Sequence, residues 1–149
     1  MAAHRTSLMH MRQNCLAACA SIAFGCSALH NCPAEKPAEL VDEGTSFSSP
    51  FPAYESASTS GPLHEFPAKT RLIFLHHLDV TPEFPDVQLS FSKDVIGGFV
   101  PGAGNESTID CVDDEVVVVR NDSCESALFV RVTAIATGQT TGSPKCPRE

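Results

Sequence analysis

The chain has 149 residues, 42% of them hydrophobic and 19% charged, with 18 acidic against 10 basic side chains and a net charge of −8. This is the length of one domain and the composition of a foldable chain, which excludes a disordered polyelectrolyte and an all-apolar membrane bundle. No basic patch or arginine-rich run is available to neutralise phosphates, which excludes nucleic acid as a partner.

Arg5 and Arg12 are the only formal charges before Glu35, and residues 15–25 (CLAACASIAFG) form a short apolar run of small side chains. A basic start followed by such a run is the layout of a secretory signal. The run falls short of the roughly 20 apolar residues that a spanning helix needs. Met9 or Met11 would serve equally as its start, and small residues also precede Ala20 and Ala28, where ordinary cleavage is an alternative. Ala23-Phe24-Gly25-Cys26 resembles the lipobox of bacterial lipoproteins, with Gly25 directly before the cysteine and Ala23 where an aliphatic residue is usual. The resemblance implies a signal over residues 1–25, a lipid on Cys26 and attachment to a membrane through that lipid. Removal of that signal and lipidation of Cys26 would leave four free cysteines, Cys32, Cys111, Cys124 and Cys146, an even number suited to two disulfides in an exported chain. Of the three possible pairings, Cys111 with Cys124 and Cys32 with Cys146 is the expected set, because the first closes a short loop.

Residues 33–62 are rich in Pro, Ser, Glu and Ala without an apolar period. They read as a flexible linker, so that residues 26–62 form a tether. From residue 69 the pattern changes to short β-runs. Strands are expected over residues 69–78, 86–92, 95–100, 108–112, 115–120 and 127–136. Residues 86–92 alternate cleanly, whereas residues 115–120 (EVVVVR) are continuously β-branched and read as a central strand buried on both faces. In residues 127–136, Leu128, Val130 and Val132 share one face and Arg131 and Thr133 the other. Gly and Pro punctuate the runs, and no helical period follows residue 30. The expected fold is all-β, a small antiparallel sandwich over residues 63–143 with a tail at 144–149. Residues 129–144 (FVRVTAIATGQTTGSP) are similar to the last strand and exit of bacterial immunoglobulin-like and fibronectin type III-like modules, and residues 87–95 to an early strand of them. That resemblance implies an immunoglobulin-like sandwich used for spacing, adhesion or binding, without catalytic residues. An exposed edge strand of such a sandwich would suit β-addition by a partner.

The candidates for chemistry are few. His77 and Asp79 would share a face if residues 69–78 continued as a strand, offering two metal ligands, with His64 or Glu83 as a third and His76 on the opposite face. A metal-dependent protein built on His64, His76, His77 and Asp79 is therefore one alternative. Asp110, Asp113, Asp114 and Glu115 form an acidic cluster without the spacing of a calcium-binding loop, and read as a solvated turn. No serine elbow, phosphate-cradling glycine loop or carboxylate pair marks a catalytic centre. Asn105-Glu106-Ser107 and Asn121-Asp122-Ser123 match the N-glycosylation pattern, which matters only for a eukaryotic secreted protein. The sequence thus points to a non-catalytic, cofactor-free, exported module of the cell envelope, tethered by lipid and engaging a protein partner. A secreted, disulfide-stapled inhibitor or surface glycoprotein is a further alternative.

Overall fold

The structure, a computed structural model, describes residues 32–48, 50–125, 127–138 and 144–148. The expected signal over residues 1–25 and the candidate lipid site Cys26 lie outside them. Two sheets pack face to face. The first, sheet A, runs in the order β1 (Glu39–Val41), β5 (Thr70–Leu75), β9 (Val116–Asn121), β8 (Thr108–Val112). The second, sheet B, runs β2 (Thr45–Phe47), β3 (Ala53–Glu55), β10 (Phe129–Ile135), β6 (Phe84–Ser90), β7 (Val100–Pro101), with β4 (His64–Glu65) also paired to β10. All pairings are antiparallel except β1 on β5. Among the described residues there is no α-helix, only a 3₁₀ turn at Gly104–Glu106. This is the all-β sandwich that the alternating runs predict.

The period-two pattern explains the core. Val130, Val132 and Ala134 of β10 and Val87 and Leu89 of β6 point inward, to meet Leu72 and Phe74 of β5 and Val117 and Val119 of β9. Tyr54 joins them from β3, and its hydroxyl donates to the Glu43 carbonyl at 2.7 Å. Burial, then the charges of Asp42 and Glu43, push that phenol well above its usual range.

The β9 run is buried on both faces, as its composition predicts. Val116 and Val118 leave the inter-sheet core and pack with Ile73 and Cys146 in a second cluster on the outer face of sheet A. One strap and one edge segment close over that cluster. Residues 144–148 lie over it, with the Cys111–Cys146 disulfide (Cα–Cα 5.8 Å) at its centre. Residues 32–38 bring Ala38 against the same cluster, tied by the Cys32–Cys124 disulfide (Cα–Cα 4.9 Å).

Several expectations need correction. The four cysteines form two disulfides, but with other partners than Cys111–Cys124 and Cys32–Cys146. Thr108 lies opposite Arg120, so Cys111 sits three residues, roughly 10 Å, from the end of β8 where Cys124 follows. A disulfide tolerates Cα separations up to about 7 Å. Residues 33–62 are not a tether throughout: β1, β2 and β3 fall within them and hydrogen-bond into the sheets. Their polar composition is that of short strands at the margins of the two sheets, most of whose side chains are open to solvent. The tail at 144–149 includes the covering strap. Residues 95–100 form no strand, because Val95, Gly97 and Gly98 adopt φ of 60°, 100° and 88°. That left-handed backbone turns the chain, and only Val100 reaches strand β7.

Candidate binding face

The outer faces of the two sheets differ. That of sheet A buries Ile73, Val116 and Val118 and leaves Leu40 exposed at its β1 edge. That of sheet B consists of rows set by the strand register. Phe47 pairs with Ala53, Ala53 with Ile135, and Ile135 with Phe84, so one row crosses β2, β3, β10 and β6. Directly paired residues point the same way, and Tyr54 and Ala134, one step along, point inward. The row is therefore outward, and it is apolar: Phe47 is 46% exposed, Ile135 43% and Phe84 62%. Phe51, in the β2–β3 connection, is also open to solvent. With 150–250 Å² available on an aromatic side chain, these fractions leave about 400 Å² of apolar surface exposed.

The next outward row is Thr45, Glu55, Thr133 and Asp86. Beyond it Arg131 lies buried on the sheet. Its Nε donates to the Ala57 carbonyl at 2.9 Å, one Nη to Gln88 Oε1 at 3.2 Å, and the other pairs with Glu55 Oε1 at 3.1 Å. The Phe99 ring sits 5.7 Å from the guanidinium. Arg131 is thus committed to the fold, and the face presents carboxylates beside its apolar row.

The candidate metal ligands do not converge. His76 is fully buried just past β5, its Nε2–H donating to the Asp113 carbonyl at 3.0 Å and its Nδ1 accepting from the Leu78 N–H at 3.2 Å. Both nitrogens are used, and burial lowers its pKa. His77 and Asp79 do not sit on a continued strand: both have positive φ, 50° and 57°. His77 Nε2 lies 2.8 Å from Asp42 Oδ1. His64, on β4, packs edge-on against Phe74 with its Nε2 donating to the Ser56 carbonyl at 2.8 Å. Among the described residues no three His, Cys, Asp or Glu side chains are placed to hold a metal. His64 does wall an open cleft of about 480 Å³ at the β1 edge, rimmed by Lys36, Lys93, Glu39, Glu43 and Glu65, in which neither sign of charge dominates.

The acidic cluster also disperses. Asp110 bridges Arg71 and Arg120 at 3.4 and 3.3 Å. Asp113, expected in a solvated turn, is fully buried and joins the β8–β9 turn to the strap: Oδ1 accepts from the Glu115 and Val116 N–H groups and Oδ2 from that of Cys146, each at 2.8 Å. Burial raises its pKa, but the three backbone donors outweigh it and hold the carboxyl below its ordinary range. Asp114 and Glu115 pair with Lys145, and Glu115 also with Arg148, which lowers both carboxyls. Asn121 cannot carry a glycan in this fold: it is buried, and its Nδ2 donates to the carbonyls of Phe66, Pro67 and Glu125. Asn105 stands exposed in the 3₁₀ turn.

Phe47, Phe84 and Ile135 were not among the sequence candidates. One signal was available for Ile135, which falls in phase with Arg131 and Thr133 on the polar side of its strand. Among the described residues no helix is long and apolar enough to cross a membrane. No family model, curated protein or solved structure matches the chain.

Proposed function

We propose that the chain is a non-catalytic, exported binding module that engages a protein partner through the outer face of sheet B. The observation that carries this reading is the solvent-open row Phe47–Ile135–Phe84 on a molecule whose other outer face buries its central residues Ile73, Val116 and Val118. Contiguous exposed apolar surface is costly in water and marks interaction sites. The two disulfides support an oxidising compartment. The lipobox-like Ala23-Phe24-Gly25-Cys26 supports a lipid on Cys26 and residence at a membrane of the cell envelope.

Two measurements test the reading. Mass spectrometry of the mature, non-reduced protein should give a lipidated Cys26 terminus and a mass four hydrogens below the fully reduced one. A retained Met1 with seven free thiols would overturn export. Replacing Phe84 and Ile135 by Thr, a β-branched residue that suits an exposed strand position, should change unfolding stability by less than about 0.5 kcal/mol each. A loss of several kcal/mol would make the row part of the fold rather than a working surface.

A further inference from the structure

The chemistry around the row narrows the partner, and the inference rests on the reading that this face binds. Glu55 is matched by Arg131 at 3.1 Å. Asp86 and Glu83 are not matched by a cation among the described residues: Asp86 Oδ2 accepts from the Gln88 amide at 2.9 Å, and Glu83 from the Thr137 hydroxyl. Both are exposed and flank Phe84 and Ile135, Glu83 by preceding Phe84 and donating its N–H to the Ile135 carbonyl at 3.0 Å, Asp86 by standing in the next outward row. The apolar row therefore carries uncompensated negative charge along its border, on a chain whose net charge is −8.

We propose that the occupant is a short cationic amphipathic segment of another protein, its apolar side chains on Phe47, Ile135 and Phe84 and its Lys or Arg side chains on Asp86 and Glu83. Size and charge argue against a second copy. The open apolar area of about 400 Å² is near half the roughly 800 Å² per partner of a stable protein interface. Two copies face to face would also enclose the carboxylates of both Asp86–Glu83 pairs in one interface with no cation on either row to match them. Charge argues against a membrane as well, because bilayers carrying anionic lipid repel this border. The length fits a segment: four strands at about 4.8 Å spacing make a row roughly 14 Å long.

The test is an amide-resolved NMR titration of the folded, oxidised protein with two 14-residue amphipathic peptides, one of leucine and lysine and one of leucine and glutamate. The leucine–lysine peptide should bind at least ten-fold more tightly, and its shifts should centre on Phe47, Ala53, Phe84 and Ile135. Binding should weaken at least ten-fold in the Phe84→Thr, Ile135→Thr double variant and several-fold in the Asp86→Asn, Glu83→Gln double variant. Equal binding of both peptides to the row would overturn the cationic partner and leave the binding face intact. Shifts centred elsewhere, such as the His64 cleft, would overturn the proposal. So would sedimentation showing a dimer lost in the Phe84→Thr variant, or flotation with vesicles of phosphatidylcholine and phosphatidylglycerol. If neither peptide, vesicles nor a second copy engages the row, the partner and the binding-face reading fall together.

Discussion

The two outer faces of this sandwich are built from similar residues and treated in opposite ways. On sheet A, Ile73, Val116 and Val118 point away from the inter-sheet core and are nevertheless buried, because the strap at residues 144–148, with its Cys146–Cys111 disulfide, and Ala38 close over them. On sheet B, Phe47, Ile135 and Phe84 also point away from the core, and no strap crosses them among the described residues. Outward apolar residues in this protein are therefore of two kinds. Those on sheet A stabilise the fold, as in any small domain that needs help from covalent links. Those on sheet B stay open to solvent, which is the basis of the proposed binding face.

The comparison breaks first at the covalent links. Replacing Cys32 and Cys124 by Ala opens a link across 92 residues, which the chain-entropy model values at about 5 kcal/mol. Replacing Cys111 and Cys146 opens one across 35 residues, worth about 4 kcal/mol, and frees the strap from sheet A. Urea unfolding should show both losses, with the double removal less than additive because the loops overlap. An Asp113→Ala variant should lose about 3 kcal/mol, since it leaves three N–H groups, two of them buried, without their carboxylate.

Acid sharpens the same contrast more gently. His76 has a folded pKa below its ordinary 6.5, so the unfolded chain takes up a proton that the folded chain refuses. Its contribution is full above that value and falls as pH drops below it toward the folded pKa. Asp113 also has a lowered folded pKa, and its contribution is full above the ordinary 3.8 and lost as pH falls through the folded value. Urea midpoints should therefore decline in two stages, and His76→Gln should remove the first. Asp113 bonds the strap directly, so the second stage should reach the strap before it reaches sheet B, as hydrogen exchange would show. The smallest effect belongs to the bare face: Phe84→Thr should leave the midpoint unchanged at every pH.

The long strands were legible because their sequences obey simple periods. Val116 to Val119 had to be buried on both faces, and β10 had to alternate. The short strands β1, β2 and β3 were not legible, because three residues cannot establish a period and their side chains are mostly solvated. Their pairing comes from main-chain hydrogen bonds offered by β5 to β1, by β10 to β3 and by β3 to β2. Disulfide partners were out of reach for a related reason: proximity along the chain favoured Cys111 with Cys124, whereas sheet register sets Cys111 beneath the strap. His76 and Asp113 resembled a metal or calcium candidate in composition. Tertiary burial turned both into structural hydrogen-bonding groups. The binding row is created by register across four strands, and no single segment contains it.

The most direct measurement compares one residue type on the two faces. Ile73 is 2% exposed on sheet A and Ile135 is 43% exposed on sheet B, and both point outward from the inter-sheet core. Unfolding of Ile73→Thr and Ile135→Thr under identical conditions should give a loss of about 3 kcal/mol for the first, which buries an unpaired hydroxyl and forfeits packing, and under about 0.5 kcal/mol for the second. Equal losses at the two positions would contradict the division into a structural face and a working face.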